Sequence, residues 1–453
     1  MNLDMTKGSP LKLILRFIVP VLLGNLFQQL YTMVDTIIVG RYVGSDALAA
    51  VGATGTISFF ILGFMTGITT GFTVPTAQRY GAGDYEGVRK SVGNAFVLSV
   101  VVTAVMTVLS TVGMDWILDV MKTPADVLEM ARTYILIICY GMAFTILYNL
   151  VASVLRAVGN SKIPLYFLLI SALLNVLLDL VFIIIFRWGV AGAAAATVIS
   201  QGVSGVLCLI YLLTRVDFLH LQKAHFILDY AGAANQLRIG VPMALQFSIT
   251  AVGTMIVQAA LNILGSTIVA AFTAACKIEH LVTQAFNAMG TAMATYSAQN
   301  WGIHSLERIR RGSRIAAAIS CVYSVVIYFV MLVIIPAAIG LFFDGDPAEA
   351  IGYARTYLSI CGIFFIPLGL SSIYRNLLQG CGYTVIPAMS GVAELLSRAI
   401  LAPVAAKMMS YTGVCIANAS AWCSAGIFMW IAYLVIMRGL IRKDALKNQE
   451  RSA

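Results

Sequence analysis

The chain has little charge. Of its 453 residues only 11% are Asp, Glu, Lys or Arg, less than half of the ~25% carried by an ordinary soluble domain. A water-facing surface cannot be built from so few charges. With 60% hydrophobic residues and a mean hydropathy of +0.90, most of the surface must face lipid. Histidine is scarce too: His220, His225, His280 and His304 form no ligand motif. The eight cysteines stand singly in apolar segments without CxxC spacing. They read as small buried hydrophobes, not as a disulfide framework or metal site. There is no HExxH, no GxSxG and no phosphate-cradling glycine loop, so a membrane enzyme is not expected. Nothing resembles the symmetric ring or re-entrant filter of a channel. No short apolar N-terminal run ends in a small-residue cleavage site, so no removable signal peptide is expected. The net charge of +9 fits basic cytoplasmic loops better than a nucleic-acid surface, and no nucleic-acid partner is expected.

What the chain does have is long apolar runs. A span needs about 20 apolar residues, and twelve are expected, near 13–38, 47–76, 91–113, 127–154, 163–186, 189–214, 237–264, 267–297, 313–340, 351–377, 385–409 and 412–438. Pro20, Pro242, Pro336 and Pro367 lie inside spans and can kink them. With the N-terminus inside, the inner loops and tails collect most of the Lys and Arg, Arg375 among them. The outer loops keep only Arg41, Lys122, Arg132, Arg187, Arg355 and Lys407, while Asp115, Asp119, Asp126, Glu129, Asp344, Asp346 and Glu349 cluster outside. The bias places both termini in the cytoplasm of a multi-pass plasma or inner membrane protein.

The two halves repeat at an offset of 221 to 224 residues. Ile18-Val19-Pro20 answers Gly240-Val241-Pro242. Ala77-Gln78-Arg79-Tyr80-Gly81 answers Ala298-Gln299-Asn300-Trp301-Gly302. Leu155 through Gly159 and Pro164 answer Leu378 through Gly382 and Pro387, and Gly189-Val190 answers Gly413-Val414. Six spans per half is an even number, so the repeats point the same way through the membrane. The expected fold is an all-α integral membrane protein with two parallel-repeat six-helix bundles. The N-terminal lobe covers 1–215, a cytoplasmic linker 216–236, the C-terminal lobe 237–440 and a cytoplasmic tail 441–453. Two such lobes that rock suit an alternating-access transporter.

Charge inside a span is costly and marks candidate sites. Asp35 lies 19 residues past Arg16, roughly 28 Å along a helix, and Asp179 lies 17 past Lys162, roughly 25 Å. Both carboxylates therefore fall in the outer half of the N-terminal lobe, with no basic residue near that depth. Two such acids resist double ionisation: one holds a proton, or the two share a cation. Asn175, one turn before Asp179, and Thr197, entering from the outer side, add amide and hydroxyl oxygens. The all-oxygen set suits H⁺ or Na⁺ and not a transition metal. Gln28 and Tyr31 flank Asp35 on its helix, and Asn149 is a further cavity candidate. In the C-terminal lobe, Glu394 and Arg398 can pair at i, i+4 or contact substrate. Lys277 and Glu279 sit on different faces of span 8; Lys277 can meet an anionic substrate group or a carboxylate of another helix.

These features together resemble the multidrug and toxic compound extrusion (MATE) transporters over essentially the whole chain. The resemblance rests on the Pro20-to-Asp35 first helix, Ala77-Gln78-Arg79-Tyr80-Gly81-Ala82-Gly83, the stretch from Leu155 to Pro164, and the duplicated twelve-span plan. It implies two bundles around a central cleft. It also implies export of amphiphilic, often cationic, small-molecule substrates in exchange for H⁺ or Na⁺, by a monomer in lipid that needs no cofactor. Asp35, Asn175, Asp179 and Thr197 fall where the DinF-like branch has its N-lobe cation site. The NorM-like branch adds carboxylates in spans 7 and 10. Here the span 7 position is near Thr250 and the stretch from Thr356 to Leu377 has no acid, so a second site of that type is not expected. The resemblance implies a mechanism in which ion binding at Asp35 and Asp179 lets span 1 bend near Pro20. The rival reading is a flippase for a lipid-linked saccharide or peptidoglycan precursor, which Lys277 and Arg398 would serve.

Overall fold

The structure is a computed structural model and describes residues 3–121, 123–340 and 348–452; Lys122, Asp344 and Asp346 of the expected outer loops lie outside them. The described residues form helices and no strand. The first half contains α1 (Pro10–Tyr42), α2 (Ser45–Phe72), α3 (Val74–Gly81), α4 (Tyr85–Val120), α5 (Leu128–Tyr140), α6 (Met142–Ala157), α7 (Lys162–Asp179) and α8 (Val190–Arg215). The second contains α9 (Tyr230–Asn262), α10 (Ser266–Gly302), α11 (Leu306–Gly340), α12 (Ala348–Ile363), α13 (Phe365–Gly380), α14 (Val385–Lys407) and α15 (Tyr411–Ser452).

Among the described residues nine segments are long and apolar enough to cross a membrane. The pairs α5–α6 and α12–α13, bent by 48° and 50°, raise this to eleven. α10 is long enough, at 37 residues, but too polar to meet the same standard. With it the described residues hold the expected twelve spans. The breaks in the fourth and tenth spans were not legible as breaks. The first falls at Gly141, where a Cβ would collide with Val198 of α8. Pro367 lies in the first turn of α13, not in a helix interior, where a missing N–H costs little.

The repeat is visible in backbone detail. After α6, Gly159 N–H donates to Arg156 O and Asn160 N–H to Leu155 O; after α13, Gly382 donates to Gln379 O and Tyr383 to Leu378 O. Both ends close with a left-handed glycine, Gly159 at φ +83° and Gly382 at φ +89°, as such helix ends favour. Two lipid-facing belts also correspond. α4 exposes Val101, Val105, Val108, Val112 and Trp116; α11 exposes Val322, Val326, Phe329 and Val333.

The chain divides into two compact units. Unit 1 comprises Val19–Ser248 with the residues up to Asp4, and unit 2 comprises Met5–Ile18 and Ile249–Ala453. The division therefore falls within α1 and within α9, the two repeat-equivalent helices. The segment before α9 is docked on unit 1. Arg89 Nε donates to Phe218 O (2.9 Å), and Asn94 exchanges two hydrogen bonds with the Asp229 backbone. α9 starts at Tyr230, ahead of the expected 237, and α15 continues as helix through the expected tail.

Candidate functional site

Within unit 1, α1, α7 and α8 bring the separated polar residues together. Asp35 is 7% exposed, Asn175 1% and Asp179 0%. The two carboxyl groups lie within hydrogen-bonding reach of each other. Asn175 Nδ2 approaches Thr197 Oγ1 at 3.5 Å, a long contact that leaves the hydroxyl oxygen available. Four buried oxygens here have no hydrogen-bond partner: Asp35 Oδ1, Asn175 Oδ1 and both carboxylate oxygens of Asp179. Neither acid forms an ion pair among the described residues. Buried polar atoms are nearly always satisfied, so four orphaned acceptors at one point call for a species that supplies positive charge. A proton shared between the acids does so, and so does a small oxygen-seeking cation.

Backbone geometry marks the same place. Directly after Asp179 the helix widens into a π-turn over Leu180–Ile185, a distortion that recurs at functional sites. Tyr31 is half-buried, and its hydroxyl is in reach of Gln28 on its own helix and Gln201 on α8. Tyr134 of α5 lies within electrostatic range of both acids. The sequence reading missed Gln201 and Tyr134. Gln201 stands four residues after Thr197, on the same helix face, and that spacing was the available signal. Gln28 is exposed and Asn149 half-buried.

Unit 2 holds a different arrangement. The Tyr357 hydroxyl donates to Glu279 Oε2 (2.7 Å), and Asn418 Nδ2 donates to the Tyr357 oxygen (2.9 Å). Arg398 Nε donates to Asn418 Oδ1 (3.1 Å) and its Nη1 to Glu394 Oε2 (3.4 Å). Arg375 Nη1 stands 3.7 Å from Glu394 Oε1. The chain of contacts crosses α10, α12, α15, α14 and α13. Glu279, Glu394 and Arg398 are all buried, at 7%, 6% and 2% exposure. Glu394 and Arg398 thus meet at the i, i+4 spacing, with Arg375 as a second cation that the sequence reading had assigned to an inner loop. Lys277 is exposed and has no ion pair or hydrogen bond among the described residues. No group of three or more metal-ligating His, Cys, Asp or Glu occurs among the described residues.

Comparison with known proteins agrees with this architecture. The MatE family pattern matches the chain twice, over residues 20–181 and 242–404, in register with the internal repeat. The chain is 29% identical over 384 residues to the probable multidrug resistance protein YpnP of Bacillus subtilis, covering 84% of each. It is 24% identical over 408 residues to the probable multidrug resistance protein NorM of Thermotoga maritima, covering 88% of this chain and 86% of that one. A structure described as the outward-facing conformation of a multidrug resistance MATE family transporter superposes with a TM-score of 0.90 at 22% identity, over 96% of this chain and 98% of the other; at that identity the likeness speaks for the fold alone. With both copies of the family pattern spanning well over half of its length, the chain belongs to the MatE family of membrane transporters and is not an enzyme.

Proposed function

We propose that the chain is a secondary antiporter that exports amphiphilic organic compounds by alternating access, in exchange for H⁺ or Na⁺ bound at Asp35 and Asp179. The observation that carries this reading is the set of four partnerless buried oxygens on Asp35, Asn175 and Asp179. Charged or hydrogen-bonding groups buried without compensation are costly, so the site changes free energy strongly when a cation enters or leaves. A ligand shifts a conformational equilibrium only through its different affinity for the two states. An acid pair that is uncompensated in one state and neutralised in another supplies such a difference. Asn175 and Thr197 contribute further oxygens, and the π-turn after Asp179 offers a place where backbone can respond.

The set Asp35, Asn175, Asp179 and Thr197 supports assignment to the DinF-like branch. The basic bias of the inner loops supports a plasma or inner membrane location with cytoplasmic termini, and the chain is taken to work as a monomer. The multidrug names of the relatives support an amphiphilic substrate.

The test is substrate efflux from proteoliposomes driven separately by proton and sodium gradients. One gradient is expected to drive wild-type transport, and Asp35→Asn is expected to abolish that dependence while inserting normally. Undiminished gradient-driven transport by Asp35→Asn would refute the assignment.

A further inference from the structure

The surface of α10 differs from that of every lipid-facing span described above. Over its 37 residues no large hydrophobic side chain is exposed. Its exposed side chains are instead Thr267, Ala270, Thr273, Lys277, His280 and Asn287, with Gln284 and Thr291 half-buried. These positions advance by steps of three and four, so they form one stripe along a single helix face. α11, next in the chain, exposes Val322, Val325, Val326, Phe329, Val333 and Ile334. A helix face turned to lipid looks like α11. A lysine, a histidine and an asparagine in one line look like the wall of a water-filled passage, where ionisable residues in membrane proteins are found.

Depth rules out the simplest alternative. Lys277 lies 11 residues after Ser266, roughly 16 Å along the helix, and about 10 Å from the middle of α10. A long lysine can extend its ammonium toward an interface, but His280 and Asn287, deeper on the same stripe, cannot. The stripe as a whole therefore needs water or a ligand.

The sign of the charge on this face is also defined. Glu279, two residues on, is turned inward and accepts from Tyr357; Glu394 lies between Arg398 and Arg375. Neither acid is available to Lys277. The part of α9 within unit 2 exposes no acid; beside Val252, Met255 and Ala259 its exposed side chains are Thr254, Gln258 and Asn262, with Gln258 donating to Asn262. The accessible charge of these two helices is thus the Lys277 ammonium, with His280 one turn along.

We propose that Lys277, assisted by His280, is the recognition point for an anionic group, a carboxylate, phosphate or sulfonate, carried by the exported amphiphile. This rests on the reading of the chain as an exporter of amphiphilic compounds and replaces the cationic class that the family resemblance implies. A charge-assisted hydrogen bond in a partly desolvated site corresponds to about a tenfold to hundredfold change in affinity.

The experiment is equilibrium binding of two xanthene dyes of opposite charge, carboxyfluorescein and rhodamine 6G, to the full chain in lipid nanodiscs, read by fluorescence anisotropy without any ion gradient. Wild type is expected to bind the anionic dye about tenfold or more tightly than the cationic one. Lys277→Gln should lose that preference, Lys277→Arg should keep it, and Lys277→Glu should reverse it. Lys277 is exposed, so none of these variants disturbs packing, and unchanged melting behaviour checks this. Failure of wild type to favour the anionic dye, or a preference that survives Lys277→Gln, overturns the inference. Because no gradient is applied, either result is separate from success or failure of ion coupling at Asp35.

Discussion

Among the described residues each unit buries two acids in its membrane spans, yet the two units treat them in opposite ways. In unit 2, Glu279 and Glu394 are met by a tyrosine hydroxyl and two guanidinium groups, and a line of donors runs from Arg398 through Asn418 and Tyr357 to Glu279. In unit 1, Asp35 and Asp179 face each other, and both Asp179 oxygens and Asp35 Oδ1 lack any partner. Burial of a carboxylate is common to both and so does not identify a coupling site. The distinguishing feature is whether the protein supplies the compensating charge itself or leaves it to an ion. Unit 2 carries its cations covalently; unit 1 must borrow one.

That contrast can be broken by substitution. The largest effect is expected for Arg398→Leu, which leaves Glu394 with only the more distant Arg375 and takes the donor from Asn418 Oδ1: removing one partner of a buried ion pair costs about 3–5 kcal/mol. Thermal unfolding in detergent should show a clear loss, recovered only in part when Glu394→Leu is added, because Arg375 then loses its carboxylate. If the single variant melts like wild type, the network does not hold the charge as described. Next is Tyr357→Phe, which deprives Glu279 of its donor at a cost of about 1.5–3 kcal/mol, read in the same melting assay. A smaller effect, about 0.5–1.5 kcal/mol in coupling-ion affinity, is expected for Thr197→Val, measured as a several-fold rise in the ion concentration that half-saturates transport. Smallest in stability is Asp179→Asn. It removes an uncompensated acid and should leave the melting temperature unchanged or raised, although coupled transport is lost. Destabilisation by Asp179→Asn on the scale of Arg398→Leu would erase the difference between the units.

The parts of this picture carried by single residues in apolar surroundings were legible in the sequence. Asp35 and Asp179 stand out because charge is rare in spans, and the helical rise alone put them at one depth. Glu394 and Arg398 were legible because their i, i+4 spacing is local. Tyr357 and Asn418 were not, since they join Glu279 to Arg398 across four helices and neither is unusual in its own stretch. Arg375, near a helix end, looked like one more inner-loop cation. The π-turn after Asp179 is a shift of backbone hydrogen bonding in Leu180–Ile185, and nothing in those six apolar residues announces it. Lys277 was visible, but its direction was not. Only the burial pattern along α10, with Glu279 inward and Lys277 outward, separates a counter-ion from an open charge.

The most direct test counts ions. Proton uptake, followed with a pH indicator, and sodium uptake, followed with radiotracer, can be measured per chain on purified wild type and on the double variant Asp35→Asn/Asp179→Asn. The account predicts uptake of one of the two ions by wild type and none by the double variant. Equal uptake by both proteins would contradict it.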